Sequence, residues 1–256
     1  MTILTAEARQ RTGQEPRTAG GGTAVISPHA DDAALSLGGS LHRRVFRSPV
    51  TLVTVFGRSN YMRDGFQADW REVTRQRNDE DRTFAASLGL RLRYLDLPEA
   101  ALREELYTDR LFAATPQAEF VAPAELEIAL RQTLHELRPT YLVVPLGLGN
   151  HRDHLLVRRA AVELAREMPV LLAYYEDLPY AASLSQKAIR QHCRSLDAGL
   201  YPLYISIGSV FGRKIEALSF YKSQMRPRDL SAVRRHGFRW CRSEAHERIW
   251  VSTFQP

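Results

Sequence analysis

Thr23-Ala24-Val25-Ile26-Ser27-Pro28-His29-Ala30-Asp31-Asp32 opens as a strand and ends in a histidine and two carboxylates. The run from Thr23 to Ser27 is short, apolar and β-rich, and the residues after Asp32 switch to a helical pattern. A second segment repeats the plan more than a hundred residues later. Thr140-Tyr141-Leu142-Val143-Val144-Pro145 leads to His151-Arg152-Asp153-His154, and a helical pattern follows. Both polar motifs therefore belong on strand-to-helix loops. In an open parallel sheet such loops emerge together at the carboxyl edge of the strands, so the two motifs can meet there.

The alternation continues outward from these segments. Residues 33–46 read as a helix and 50–56 as a buried parallel strand, with a loop over 57–67 that should open onto the same edge. A helix over 69–88 stops at Gly89, and 90–97 supplies another strand. Residues 98–121, with Pro98, Leu102, Leu106, Tyr107, Leu111, Phe112 and Pro116, read as a short helix and a lid. Helices over 124–137 and 154–166, and strands over 140–145, 170–175 and 248–254, complete the pattern, with loop and surface helix over 227–237. The chain is expected to be α/β, a single-domain, Rossmann-like fold with a mostly parallel sheet flanked by helices. Residues 1–20, polar and glycine-terminated, are expected to be a mobile or partner-facing arm ahead of a domain over 21–256.

A divalent metal at a hydrolytic site takes three ligands from histidine and carboxylate and keeps a position for water. His29, Asp32 and His154 make that count. Asp31 adjoins a ligand but cannot point at the same spot, which leaves it free to take a proton from the water. His151 remains to donate a proton or to stabilise an oxyanion. Each motif alone has an ordinary structural explanation. Asp31 and Asp32 would suit a helix N-cap, and two histidines at helical spacing commonly sit in a core or on a surface. Their pairing at two strand ends points to a site. Gly38-Gly39 suggests a dinucleotide-binding turn, but the spacing departs from that fingerprint and two carboxylates would repel pyrophosphate.

The two motifs resemble those of the zinc-dependent N-deacetylases named after PIG-L and LmbE, whose first motif runs His-Pro-Asp-Asp-Glu and whose second is His-x-Asp-His. Arg77, Glu80, Leu88 and Gly89 resemble the family's Arg-x-x-Glu helix with its later Leu-Gly. Lys214, Ala217, Tyr221, Ser223 and Gln224 resemble its late Lys-to-Ser-Gln segment, so the likeness covers roughly residues 20–225. The resemblance implies one zinc per chain held by His29, Asp32 and His154, with Asp31 as general base. It implies His151 as acid or oxyanion partner, oriented by Asp153, and Arg77 as a substrate contact. For Arg77 an i,i+4 ion pair with Asp81 is the structural alternative. The implied substrate is an N-acylated amino sugar or glycoside. A thiol-conjugate amidase and a metal- and sugar-binding protein without turnover remain open, as do iron, cobalt or manganese on the same donors. Ala30 and Ala33 replace the family's Pro and Glu, and Gly149 stands where some members carry Tyr.

Composition is that of an ordinary globular enzyme, 44% hydrophobic and 25% charged. The net charge of +6 comes largely from arginine, since only Lys187, Lys214 and Lys222 are lysine. The run from Arg234 to Arg248, which includes Phe238 and Trp240, reads as a solvated or substrate-facing surface, and no nucleic-acid partner is expected. No stretch approaches the roughly 20 apolar residues of a membrane span, and no secretory h-region is present, so a cytoplasmic protein without membrane contact is expected. Cys193 and Cys241 are expected to be reduced. A homo-oligomer is compatible with the sequence. Tyr174 to Tyr180 follows a strand directly, so its acids and tyrosines either face the site or simply pack.

Overall fold

The computed structural model describes residues 21–103, 111–114 and 123–252. Strands β1 (Thr23–Ser27), β2 (Val50–Thr54), β5 (Arg91–Tyr94), β6 (Tyr141–Pro145), β7 (Leu171–Tyr175), β8 (Leu200–Ser206) and β9 (His246–Ser252) form one sheet. Their order is β5-β2-β1-β6-β7-β9-β8. Neighbours from β5 to β7 are parallel, and β9 runs antiparallel to both β7 and β8. A separate hairpin pairs β3 (Tyr61–Met62) with β4 (Gly65–Phe66).

β1 and β6 are buried along their whole length, as near-continuous apolar strands must be when helices cover both faces of a sheet. The helices are α1 (Asp32–His42), α2 (Trp70–Leu88), α3 (Ala100–Arg103), α4 (Ala124–Leu137), α5 (Arg152–Glu167), α6 (Gln186–Leu196), α7 (Phe211–Leu218) and α8 (Pro227–Gly237). Small residues, Ala33, Ala34, Gly38 and Gly39, let α1 lie buried almost throughout. Asp69 caps α2 by accepting from the Arg71 and Glu72 amides. Strand order reverses at β1, with β2 on one side and β6 on the other. The crevice at such a reversal is where open α/β sheets bind ligands, and both polar motifs sit there.

The expected α/β fold is the one observed, with local differences. α1 ends at His42 rather than 46, because Arg44 turns the chain with a φ of 53°. Strand β8 and helices α6 and α7 were not expected. β8 carries Pro202 and mixes buried with partly exposed positions, so no apolar run marks it. The final strand starts at His246, and residues 253 and 254 lie outside the described residues. Leu106, Tyr107 and Pro116 of the expected lid, and the expected arm over 1–20, also lie outside them. No described helix is long and apolar enough to cross a membrane. Both cysteines are free thiols.

Arg248 corrects the surface reading of the arginine-rich run. Its guanidinium is buried against the rings of Tyr204, Trp240 and Trp250, at 4.8–5.6 Å from their centroids, and ion-pairs with Glu176. Stacked and neutralised in this way, the charge belongs to the core.

β9 also carries Glu247, which ties three elements together. It accepts from Lys214 Nζ at 2.7 Å on α7 and from the amides of Gly39 at 2.8 Å and Ser40 at 2.7 Å on α1. Lys214 of the late motif is thus a structural residue, only 2% exposed. Glu247→Ala strands a buried ammonium and is expected to cost about 3–5 kcal/mol, or roughly 6–20 °C in Tm. A thermal melt within 2 °C of the parent protein would contradict this role.

Candidate metal centre

The loop after β1 is held from within. Ser27 Oγ donates to the carbonyl of His29 at 2.6 Å and accepts from the amide of Ala33 at 3.1 Å. The amide of His29 donates to Asp32 Oδ2 at 2.8 Å. Asp31 occupies the N-cap position of α1 but its side chain accepts no capping hydrogen bond. Capping therefore does not occupy the Asp31 carboxylate.

Asp32 Oδ2 lies 3.2 Å from His29 Nδ1 and 3.3 Å from His154 Nε2. The far side of each imidazole is held by another carboxylate. His29 Nε2 donates to Asp153 Oδ2 at 3.0 Å, and His154 Nδ1 donates to Asp177 Oδ1 at 2.7 Å. Asp177 also accepts from the amide of Leu148 at 2.9 Å, which locks the loop after β7 to the loop after β6. His154 Nε2 is fully buried and, among the described residues, makes no well-directed hydrogen bond, its approach to Asp32 Oδ2 being an ion pair at 3.3 Å. A buried basic nitrogen left without a proton donor, facing a carboxylate and a second imidazole, fits a metal ion. Each histidine then has the carboxylate behind it that metal-ligating imidazoles characteristically use to fix tautomer and orientation.

A second cluster, His29, His151 and Asp153, is equally close-knit. It suits a metal less well, because the Asp153 carboxylate is already filled by His29, the amide of Ala100 at 2.9 Å and the guanidinium of Arg103 at 2.9 Å. The expected link from Asp153 to His151 also differs in kind. The backbone amide of Asp153 donates to His151 Nδ1 at 3.3 Å, while its carboxylate serves His29. With Nδ1 accepting, the neutral ring carries its proton on Nε2.

Burial opposes charge on His29 and His154, yet the neighbouring carboxylates outweigh it and lift them to about 9 and about 10. The same field favours a cation between them. Burial, reinforced by the charge of His29, pushes His151 down to about 3, which keeps it neutral. Burial and the adjacent Asp32 raise Asp31 to about 6 against the opposing pull of Arg77 and His29. A carboxylate so placed is a stronger proton acceptor than an exposed one.

Arg77 is 4% exposed and approaches Asp31 with Nη2 at 3.8 Å from Oδ1. Its partners are Ser59, Glu99 at 3.3 Å and the carbonyl of Tyr61 at 3.4 Å, and not Asp81. Asp81 instead accepts from Tyr221 and Thr54. Glu80 accepts from both the amide and the hydroxyl of Ser223, which brings Gln224 to the cavity wall. The cavity above the centre measures about 650 Å³ and includes Tyr61 and Phe66 from the expected loop over 57–67, with Leu111 and Phe112 from the expected lid.

Asp177 and Glu99 were not assigned from sequence. Glu176 and Asp177 follow β7 side by side, and only the structure separates them: Glu176 meets His236, Arg248 and Trp250. Asp177→Asn is expected to weaken metal affinity about 10–100-fold. Chelator competition would read this, and unchanged affinity would remove Asp177 from the support of the centre.

A family model described as GlcNAc-PI de-N-acetylase, PIG-L, matches residues 24–165. The 2'-N-acetylparomamine deacetylase of Streptomyces fradiae is 31% identical over 238 residues, covering 91% of this chain and 84% of that protein. Among solved structures, a deacetylase of the teicoplanin biosynthesis pathway has a TM-score of 0.67 at 22% identity, covering 89% of this chain and 96% of its own. The N,N'-diacetylchitobiose deacetylase of Pyrococcus horikoshii has a TM-score of 0.65 at 15% identity, covering 99% and 94%. The matched segment opens in β1 and closes in α5, so it takes in both motif loops together with Arg77 and Glu99, and the chain belongs to the PIG-L family, the GlcNAc-PI de-N-acetylases.

Proposed function

We propose that this protein is a zinc-dependent hydrolase that removes an acyl group, acetyl in the first instance, from the nitrogen of an amino sugar or glycoside. The observation that carries this reading is the convergence of His29 Nδ1, Asp32 Oδ2 and the buried His154 Nε2 beside Asp31, at one end of an open cavity. The kinship with a deacetylase of N-acetylparomamine supports an N-acetylated amino sugar as the substrate class.

His29, Asp32 and His154 would hold the metal. Bound there, zinc supplies Lewis acidity and brings the pKa of water in its open position to about 7. Asp31 accepts a proton from the attacking water as its oxygen adds to the amide carbonyl carbon. Arg77 holds the Asp31 carboxylate in place across 3.8 Å. His151, neutral and with its proton on Nε2, donates toward the oxygen that gains charge. The C–N bond then breaks, the nitrogen leaves with the proton that Asp31 took from water, and the products are a carboxylic acid and a free amine.

Metal content of protein purified without added metal, with release of primary amine from a panel of N-acetylated amino sugars, tests this reading. Near one zinc per chain and amine release from at least one sugar are expected. Protein that binds no metal even after zinc addition would sink it.

A further inference from the structure

Tyr180 stands at the start of the turn Tyr180–Ser183, three residues after Asp177. That turn is firmly fixed: the amide of Ala181 donates to the carbonyl of Asp177 at 2.8 Å, and Arg239 reaches the carbonyls of Ala181, Ala182 and Leu184. The Tyr180 ring packs edge-on to His154 at 5.7 Å and 80°, and lies nearly parallel to His151 at 6.4 Å and 25°. It lines the cavity alongside His29, Asp31 and Asp32. Among the described residues nothing hydrogen-bonds to its hydroxyl, which leaves it, with His151 Nε2, as a donor the site has not committed.

The ring has its place because residue 149 has no side chain. A Cβ on Gly149 would lie 2.5 Å from Tyr180 Cβ and 2.7 Å from Cγ, and the glycine's φ of +85° is one other residues rarely adopt. A side chain at 149 and the ring at 180 exclude one another.

We propose that Tyr180 Oη donates a hydrogen bond to the carbonyl oxygen of the scissile amide as that oxygen becomes an oxyanion, sharing the task with His151, and that Gly149 is the glycine that admits it. The inference rests on the deacetylase reading above. It makes Tyr180 a catalytic residue drawn from outside both sequence motifs.

Tyr180→Phe tests it on the metal-loaded protein. A donor used mainly in the transition state predicts kcat lower by about 10²–10³-fold with KM and metal content nearly unchanged. Turnover at the parent rate, or a loss confined to KM, would overturn the proposal. Gly149→Ala checks the interlock: it should lower kcat in the parent protein yet cost little more on top of Tyr180→Phe, and equal losses in both backgrounds would overturn it. Titration with acetate, whose carboxylate mimics the oxyanion, separates this proposal from the reading beneath it. Tyr180→Phe should bind acetate about tenfold more weakly, and equal binding overturns the role of Tyr180 even if no sugar is turned over. Absence of amine release by the parent protein, with that acetate difference intact, would instead count against the deacetylase reading alone.

Discussion

Asp31→Asn is expected to lower kcat by about 10²–10⁴-fold while leaving the metal content of the protein unchanged. The substitution keeps the size and shape of the side chain and removes its capacity to take a proton. Asp32 and both histidines are untouched, so the metal has no reason to leave. α1 should not suffer either, because Asp31 makes no capping hydrogen bond that asparagine would lose. The side chain's neighbours explain why the effect should be large. Burial and Asp32 raise the Asp31 carboxyl, which favours uptake of a proton, while Arg77 keeps it from rising further. The measurement is amine release per metal-loaded chain. Full activity with metal bound would show that another group is the base.

His154→Ala should abolish stoichiometric metal binding and, with it, all turnover above background. Two ligands rarely suffice for a tight divalent site, and Asp32 and His29 alone leave half of a tetrahedral shell empty. The substitution also leaves Asp177 buried without its imidazole, so some loss of thermal stability should accompany the loss of metal. Mass-spectrometric metal analysis beside the parent protein decides the matter. Parent-level metal in the variant would mean that the ion sits elsewhere, with the His29, His151 and Asp153 cluster the next place to look.

The parts of the site that sequence made legible are those tied to local pattern. β1 and β6 announce themselves as short apolar runs because they are buried on both faces, and His29, Asp31, Asp32, His151 and His154 follow immediately in the loops that such strands must enter. Asp153 was singled out but for a different contact, since backbone geometry at the start of α5 aims its amide, rather than its carboxylate, at His151. Asp177 was hidden by its neighbour: two adjacent acids after a strand look alike until register decides which faces the ligand histidine. Tyr180 ended the stretch that either faces the site or packs, and sequence left that choice open because its position depends on a side chain missing thirty-one residues earlier. Strand order is likewise invisible to periodicity, so the final strand could be recognised without revealing that it lies inside the sheet.

That interior placement of β9 bears on how the protein is made. β7 and β8 are translated well before β9, yet they pair with β9 and not with each other. During synthesis both must wait with open edges until His246 to Ser252 emerges, and Lys214 waits with them for Glu247. The nascent chain can thus carry a complete set of metal ligands while still lacking the strand that closes its sheet. Open strand edges invite pairing with other chains, so the interval between translation of β8 and of β9 leaves the nascent chain open to aggregation.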